Sequence, residues 1–530
     1  MNFRNYQNIT KVIIPSESLL TTDFSNLFYN MRNLKSTSIP KNLITNMSYT
    51  YFNCYNLTGS PVCGNNVTNM HYTYYNCRNI KGSPVCGDNV TDMDHTYYNC
   101  INIKGSPVCW DNVINMNCTY YNCTNLTGSP VCGNNVTDMY YTYYNCTNLT
   151  GSPICGNNVI HMGSTYYNCY NLTGSPVCGN NVTNMYATYY NCNLTGSPVC
   201  GNNVTDMSWA YRNCTNLTGS AACGDNVTNM NCTYQNCTNL TGNAACGSNV
   251  TNMSWAYYGC TNLTTAVCGP NVTNISNAYY NCTNLTTAAC GPNVTDMVNA
   301  YSYCNNLTTA VCGNNVINMC SAYKNCTSLT TAVCGPNVTN MSSTYSGCIN
   351  LTTAVCGSNV PSMVYTYINC TNLTTAVCGN NVTNMYYTYC NCRNLTDAYF
   401  YSNNVSNVYH CFYGRNTSNR LNIYVHNGST TMNTCLINES YSSLVGANIT
   451  WTFSGAAYYN TQYNIYIYPV SNVITGPEEI ALYGELRTML VDFNYTQYDN
   501  GICVITDWKN TTNGATGTKM IIPNDSRIKL

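Results

Sequence analysis

Charged side chains are almost missing from this 530-residue sequence. Asp, Glu, Lys and Arg together make up 7% of it, and the formal net charge is −1. Without a basic surface the chain lacks the electrostatic means to capture nucleic acid, so we expect no nucleic-acid partner. No apolar stretch approaches the length of a membrane-spanning helix, so we expect no membrane span. Residues 1–20 show no apolar run behind a basic start, and no signal peptide is visible.

Histidine is scarce as well, with five in the whole chain, at positions that look unrelated in the sequence. No shared general base recurs, and no glycine-rich loop followed by lysine is present to hold a phosphate. Zinc sites need Cys and His at characteristic spacings, which the sequence does not offer. We therefore expect no enzyme activity, no cofactor and no metal.

Cysteine, by contrast, is abundant: the chain has 38, most of them in a regular series. One series advances by 23 from Cys54 onward (77 − 54) and by 22 from Cys260 onward (282 − 260), and a second series runs in phase with it. Self-similarity at this period is typical of a solenoid whose coils stack on one another. The predicted structural cysteine columns contain Cys54, Cys77, Cys100, Cys123 and Cys146 in the first series, and Cys63, Cys86, Cys109, Cys132, Cys268 and Cys290 in the second.

Each coil is predicted to hold a short parallel strand and a short helix or turn. Met70, Thr73, Tyr74 and Cys77 are spaced i, i+3, i+4, i+7, which is one face of a helix. The segment LTGSPVC, residues 57–63, is predicted to be extended and to pair in register with its copies.

Three further positions complete the predicted coil. Asn69 precedes the helical spacing and is expected to cap it, Asn79 is expected to end it in a left-handed conformation, and Val67 is expected to point inward. Early coils read LTGSPVCG, whereas late coils read LTTAVCG. Since proline cannot donate to a ladder, we expect a bulge at Gly-Ser-Pro in the early coils.

The chain divides into four predicted parts: N-terminal capping coils (1–47), the solenoid (48–410), a β-rich C-terminal cap (411–475) and a small C-terminal module (476–530). The segments LNIYV, ITWTF and YNIYIYPV are predicted to be strands. The segment EEIALYGELRTML is predicted to be a helix.

The repeats resemble the BspA-like leucine-rich repeat family, in the variant written VTxMxxMFxxCxxL. The resemblance covers roughly residues 8–410 and is clearest in VTNMSWAYYGCTNL (250–263). This chain has Tyr where the family usually has Phe, and it adds the second cysteine column. The resemblance implies a leucine-rich-repeat solenoid and a role in binding, because family members are mostly surface-exposed adhesion or interaction proteins of bacteria and protists, with relatives encoded by phages.

Two side-chain patterns leave alternatives open. The cysteine columns are either buried thiol ladders or disulfides between neighbouring coils, and metal binding is a third reading. Cys118, Cys232 and Cys320 lie off the columns and are expected to face outward and to be reactive. The many Asn-X-Thr triplets are either glycosylation acceptors or ladders, formed by residues such as Asn66, that satisfy the turn backbone.

Tyrosine provides the candidate ligand-binding residues, because aromatic rings with a polar tip dominate binding surfaces and stack on sugars. The alternative is that these rings only shield the outer side of the coils. The residues predicted to lie nearer the solvent are Tyr72, Tyr75, Tyr98, Tyr121, Tyr144 and Tyr167.

The sequence thus predicts a non-enzymatic repeat scaffold that binds a protein or glycan on a cell surface, as a surface adhesin or virion appendage. We expect it to be extracellular, cell-surface or virion-associated, and to form a homo-oligomer through the C-terminal module. The alternative is a structural spacer or self-assembling filament protein without a specific ligand. A weaker alternative is an ice- or mineral-binding face made of regular Thr arrays.

Overall fold

The computed structural model describes residues 3–425, except positions 5, 19, 20, 222, 245 and 403, together with the strand segments between 452 and 522 that are given below. These residues belong to two compact units, Met1–Gly269 and Pro270–Leu530. In each unit the chain winds one coil per repeat, and like residues of successive coils pair side by side. Among the described residues, no helix is long and apolar enough to cross a membrane.

Regular secondary structure in the described residues consists of short strands and two 3₁₀ turns, Ser16–Ser18 and Lys41–Leu43. The strands are β1 (Lys11–Ile13), β2 (Ser36–Ser38), β3 (Gly242–Ala244), β4 (Leu263–Ala266), β5 (Thr353–Val355), β6 (Thr375–Cys378), β7 (Asp397–Phe400), β8 (Leu421–Val425), β9 (Thr452–Ser454), β10 (Ala457–Asn460), β11 (Ile465–Tyr468), β12 (Asn494–Gln497), β13 (Cys503–Lys509), β14 (Thr516–Gly517) and β15 (Met520–Ile522).

The segment 70–77, predicted as a short helix or a turn, is a run of turns. Its backbone amides alternate between two partners: the Tyr72 N–H donates to the Asp94 carbonyl of the next coil (2.9 Å), whereas the Tyr75 N–H donates to the Tyr72 carbonyl of its own coil (3.3 Å). Tyr72 and Asn76 adopt positive φ values of 54° and 60°, which stop each turn from continuing as a helix. The helix prediction was wrong because the inward positions of these turns share the three- and four-residue spacing of a helix face.

The parallel ladder that links the coils lies at the column of Asn69. Asn69 forms parallel bridges with Asn46 of the preceding coil and with Asp92 of the following coil. The Asn69 side chain accepts a hydrogen bond from the His71 N–H (2.8 Å), so the predicted capping bond forms at the start of a turn instead of a helix. The segment LTGSPVC, where the ladder was predicted, contains no regular strand in the coils from 54 to 214.

The core consists of inward columns, to which each coil contributes one member per column. Val67, Met70, Tyr74 and Cys77 are at most 1% exposed, and their counterparts in the other coils are buried in the same way. The predicted inward direction of Val67 and Tyr74 is therefore correct. Because every coil buries its apolar side chains against its two neighbours, the repeat needs no separate central core.

Some of the late coils form strands that the coils from 54 to 214 lack. β5 and β6 carry the Thr-Thr-Ala version of the repeat and pair in parallel and in register, and β6 pairs in the same way with β7. In the early version, Gly59 has a φ of +90°, which takes the Gly-Ser-Pro segment out of extended geometry. The predicted bulge does not form in the coils from 54 to 214, because this segment has no strand ladder there to interrupt. β3 and β4 pair with a register shift next to Gly242.

The last described coils lead into a seven-stranded sheet in the order β5-β6-β7-β8-β11-β10-β9. β8 and β11 lie within the segments LNIYV and YNIYIYPV that were predicted to be strands, and β9 overlaps the third predicted segment, ITWTF, at Thr452 and Phe453. The predicted helix EEIALYGELRTML lies outside the described residues. The division of the chain into four parts stays a prediction.

Candidate functional site

An unbroken stack of aromatic rings runs along the outside of the early coils. Each coil contributes the residue two positions before its cysteine, and each ring is half-buried. Neighbouring ring centroids are 4.3–4.8 Å apart, and neighbouring planes are within 12° of parallel. We call this stack the aromatic column; it consists of Tyr29, Phe52, Tyr75, Tyr98, Tyr121, Tyr144, Tyr167 and Tyr190.

A ladder of asparagine side chains sets the spacing of the column. Asn76 follows Tyr75 directly, and its side-chain amide donates to the Asn53 side chain of the preceding coil (2.9 Å). The Asn99 amide donates to Asn76 in the same way (3.0 Å). These asparagines have positive φ, so the left-handed Asn of the coil is Asn76 and not, as predicted, Asn79. Asparagine tolerates this conformation and its amide joins the coils, which holds adjacent rings in register.

Arginine side chains lie at both ends of the aromatic column. The Arg4 guanidinium lies 4.4 Å from the centroid of Tyr29. At the other end, the Arg212 guanidinium lies 5.6 Å from Tyr190 and 4.3 Å from Trp209. Cation–π contacts of this kind stabilise an aromatic face that would otherwise end in solvent.

Five of the six predicted ligand-binding tyrosines belong to the aromatic column, and Tyr72 lies in an adjacent row. Its ring stacks on Tyr49 at 5.0 Å and on His95 at 4.4 Å, and it packs at a tilt against Tyr75 at 5.2 Å. Burial raises the pKa of Tyr72 to about 12. Burial likewise raises the pKa of Tyr121 to about 12, so both phenols stay neutral near pH 7 and present O–H groups.

A histidine–aspartate cluster next to Tyr72 was missed by the sequence analysis. Asp94 lies between two imidazoles, 3.0 Å from His71 Nδ1 and 2.8 Å from His95 Nδ1. Burial alone would raise the pKa of Asp94, but hydrogen bonds to His71 and His95 hold it at about 2. The same bond to Asp94 raises the pKa of His71. His95 lies one position beyond a full repeat from His71, and this was the only sequence signal that the two histidines meet.

The inner tyrosine of each coil explains why this chain departs from the Phe of the family pattern. The Tyr74 hydroxyl donates to the Val62 carbonyl (2.7 Å) and accepts from the Val62 N–H (2.8 Å). The Tyr120 hydroxyl makes the same two bonds to Val108. A phenylalanine would leave these backbone groups without a partner, because the Gly-Ser-Pro-Val segment forms no strand ladder.

Both cysteine columns contain free thiols in the described part of the chain. In the first column, the Cys77 thiol donates to the Tyr51 carbonyl of the preceding coil (3.1 Å). The second column is less buried in the early coils, where burial raises the pKa of Cys63 to about 11 and that of Cys109 to about 12. The structure thus agrees with the thiol-ladder alternative. The residues described contain no cluster of His, Cys, Asp or Glu suited to a metal ion.

The off-column cysteines differ from their prediction. Cys118 and Cys232 are buried, and only Cys320 is partly exposed. Cys118 occupies the same position of the repeat as His95 and Tyr141 in the adjacent coils, which have longer side chains. Burial raises the pKa of the Cys118 thiol to about 12, so it is not the reactive group expected.

Asparagines of the Asn-X-Thr triplets form the predicted ladders to turn backbone. The Asn66 side chain donates to the Asn42 carbonyl (2.7 Å), and Asn89 donates to the Asn65 carbonyl (2.9 Å). Each bond joins one coil to the preceding one. Their amides therefore have a structural role in the stack.

Comparison with known proteins shows similarity to leucine-rich repeat proteins. A family model described as "BspA type Leucine rich repeat region (6 copies)" matches residues 1–104, 94–218, 210–330 and 298–419, which together make up most of the chain. No curated protein matches the sequence.

Solved structures with related architecture have low sequence identity to this chain. A leucine-rich repeat protein from Bacteroides ovatus is 15% identical, with a TM-score of 0.35, over 66% of this chain and 79% of its own. A leucine rich cell surface protein from Faecalibacterium prausnitzii is 15% identical, with a TM-score of 0.27, over 74% of this chain and 87% of its own. The functional domain of InlJ from Listeria monocytogenes, described as including a cysteine ladder, is 11% identical, with a TM-score of 0.18, over 91% and 88%.

Proposed function

The chain belongs to the BspA-type leucine-rich repeat family, and on that premise we propose that it is a non-enzymatic binding scaffold that attaches to a glycan through its aromatic column. The observation that supports this proposal is the continuous stack of half-exposed rings from Tyr29 to Tyr190. Stacked neutral phenols present flat apolar faces edged by hydroxyl groups, which is the chemistry that the faces of pyranose rings pack against.

The lack of charge supports a glycan over a charged partner. Only 7% of the residues are charged, and the aromatic column contains none between its two terminal arginines. Binding that depends on stacking and neutral hydrogen bonds is weakly screened by salt. We therefore expect the affinity to change by less than about twofold between about 0.05 M and 0.5 M NaCl, as measured by calorimetry.

A glycan array probed with the full chain tests the proposal. The test variant combines Tyr98→Leu, Tyr121→Leu and Tyr144→Leu, which removes three central rings and keeps apolar side chains in their place. We expect this variant to lose binding by at least about tenfold, since stacking aromatic residues are frequent hot spots. Circular dichroism and urea unfolding check that the variant is folded.

The matched control is a variant in which two exposed tyrosines outside the aromatic column, Tyr170 and Tyr186, are changed to Leu. It should bind like the parent chain. Equal losses in both variants, or none in either, would show that the aromatic column is not the binding surface, and its rings would then only shield the coils.

We place the protein at a cell surface or on a virion, outside the cell, because members of its family are mostly surface-exposed. A protein partner on such a surface would use the same column of tyrosines. We also propose that the chain forms a homo-oligomer through its C-terminal module. Sedimentation equilibrium tests this by comparing the mass of the full chain in solution with that of a chain truncated after residue 425.

A structural spacer or filament subunit is the second candidate. It is favoured by the edge strand β1, which pairs only with β2 among the described strands and leaves Ile13 61% exposed. An exposed edge of this kind can pair with another copy. Filaments that lengthen with protein concentration in negative-stain images would support it, and a constant monomer mass over the same range would exclude it.

A further inference from the structure

Beyond the Tyr190 end of the aromatic column, two consecutive coils carry polar residues at the same position of the repeat. Arg212 occupies this position in the coil after Tyr190, and Gln235 occupies it in the coil after Arg212. Tyr258 then occupies the same position of the next coil. At this position of the repeat, one guanidinium and one carboxamide thus lie between two aromatic residues, Tyr190 and Tyr258.

Both polar side chains leave a hydrogen-bonding atom without a partner. Arg212 Nε and Gln235 Oε1 are buried and make no hydrogen bond. Gln235 is only 7% exposed. Buried polar groups in proteins are almost always paired, so an unmatched donor and an unmatched acceptor in neighbouring coils mark a place where another molecule can supply both partners.

Aromatic rings border this polar pair on both sides. The Arg212 guanidinium lies 4.3 Å from the centroid of Trp209, next to Tyr190. In the coil after Gln235, Trp255 is 38% exposed and its centroid lies 5.0 Å from that of Tyr258. A ligand group that reaches the polar pair therefore has flat aromatic surfaces of the protein on either side of it.

We propose that Arg212 and Gln235 form a subsite for the acetamido group of an N-acetylated sugar. The ligand carbonyl accepts from Arg212 Nε–H, and the ligand N–H donates to Gln235 Oε1. The sugar ring then packs on Trp209 or Trp255. Arg212 is half-exposed, so rotation of its side chain opens the pair to the ligand.

The donor and acceptor together select the ligand class. A carboxylate satisfies Arg212 but is repelled by the lone pairs of Gln235 Oε1, whereas an amide offers a carbonyl acceptor and a separate N–H donor. A peptide amide has the same polar groups, but it lacks the ring faces that two flanking tryptophans are shaped to contact. This inference rests on the proposed function, since it names the sugar that the scaffold binds.

Calorimetry with the full chain tests the subsite against two matched probes. The probes are N-acetylglucosamine hexamer and cellohexaose, which differ at carbon 2, where an acetamido group replaces a hydroxyl. We expect the N-acetylated hexamer to bind at least about tenfold more tightly, because its acetamido group forms hydrogen bonds with both Arg212 Nε–H and Gln235 Oε1. Gln235→Met and Arg212→Met should each reduce this preference to about twofold or less, without loss of fold, because each removes an unpaired buried atom.

The outcomes separate the subsite from the function on which it rests. Equal binding of both hexamers, abolished by the Tyr98, Tyr121 and Tyr144 variant, would overturn the subsite and keep the glycan-binding proposal. A preference that survives both Met variants would also overturn it, as would tighter binding of a sialylated hexasaccharide or of N-acetylglycinamide. If neither these sugars nor a glycan array gives binding, the proposed function fails as well.

Discussion

The early coils, from Cys54 to Cys214, and the late coils, from Cys282 to Cys392, share their inner columns but differ on the outside. The early coils build ladders of side chains: the aromatic column and the asparagine ladder both run through them. Some late coils add backbone pairing in strands such as β5 and β6, and late coils place Ser302, Lys324 and Ile368 where the aromatic column would be.

This difference separates what the fold requires from what the surface adds. The buried Val, Met, Tyr and Cys columns are present in both regions, so they suffice to wind the coil. The side chains at the outer positions differ from one late coil to the next, so formation of the stacked coils does not depend on them. The regular outer side chains of the early coils therefore support a role at the surface. Single substitutions can separate the contributions of the inner and outer columns.

The largest expected effect is in the asparagine ladder. Asn122 donates to Asn99 (2.6 Å), accepts from Asn145 (2.6 Å) and has a φ of 58°. Asn122→Ala removes both bonds and puts a residue with no polar group into the left-handed region, so we expect a loss of about 3 kcal/mol in the free energy of unfolding, measured with urea.

Two variants provide the comparison for this change. Asn122→Gly keeps the backbone conformation free of strain and loses only the bonds, so its loss should be about half as large. In the late coils, Asn325 is followed in its column by Gly347, which has no amide to extend a ladder. Asn325→Ala should therefore cost less than Asn122→Ala, and equal losses would contradict the ladder's contribution.

The next effect compares two inner tyrosines. Tyr120→Phe removes both hydrogen bonds to the Val108 backbone, and we expect a loss of about 2 kcal/mol in urea unfolding. The Tyr389 hydroxyl, by contrast, is buried without a partner. Tyr389→Phe should be neutral or slightly stabilising. A loss of the same size at both sites would show that ring packing, not the hydroxyl, is responsible.

The histidine–aspartate cluster predicts a smaller, pH-dependent effect. The folded pKa of Asp94 is lowered to about 2, so its stabilisation is present above its unfolded pKa of about 3.9 and is lost as the pH falls toward 2. The folded pKa of His71 is raised, so its stabilisation is present below its unfolded pKa of about 6.5 and is lost as the pH rises through the folded value. Asp92 also faces His71, at 3.7 Å.

Unfolding of the parent chain and of Asp94→Asn, measured at several pH values, tests this cluster. The parent should be more stable than the variant by the largest margin between about pH 4 and pH 6.5, with the margin shrinking on both sides. A margin that does not change with pH would mean that Asp94 acts through neutral hydrogen bonds alone, such as the one from Asn117 (2.9 Å).

The smallest effect is expected for the buried threonine four positions before the cysteine, which every early coil except that of Cys214 carries. Thr96 donates to the carbonyls of Met70 and Met93 (2.8 Å each), whereas two of the late coils have Ala300 and Ala322 at this position. Since those two coils wind without this hydroxyl, Thr96→Ala should lower the free energy of unfolding by about 1 kcal/mol or less. A larger loss would show that the early coils depend on the hydroxyl.

Much of the coil could be predicted from the sequence, because residues one period apart must become neighbours. The period indicated the solenoid, the inward Val67 and Tyr74, and the cysteine columns. The turns of residues 70–77 could not be distinguished from a helix, since both place inward residues three and four apart. The cluster of His71 and His95 was missed because its members lie one position out of phase.

The aromatic column could be predicted in part for the same reason, and its role in binding stays a proposal. Five tyrosines of the aromatic column share one phase of the repeat, whereas Tyr72 belongs to another. The burial of Cys118 could not be predicted, because it depends on the size of its neighbours in adjacent coils. The pair of Arg212 and Gln235 appears in the sequence only as an interruption of the tyrosine pattern, and its unmatched atoms became visible only in three dimensions.

The most direct measurement of the central claim is a crystal structure of the full chain with the oligosaccharide that it binds. We expect the sugar rings to lie along the half-exposed face of Tyr75 to Tyr190, with the protein rings 4.3–4.6 Å apart. Sugar density over the late coils, or early-coil tyrosines splayed apart or covered by the chain itself, would contradict the account.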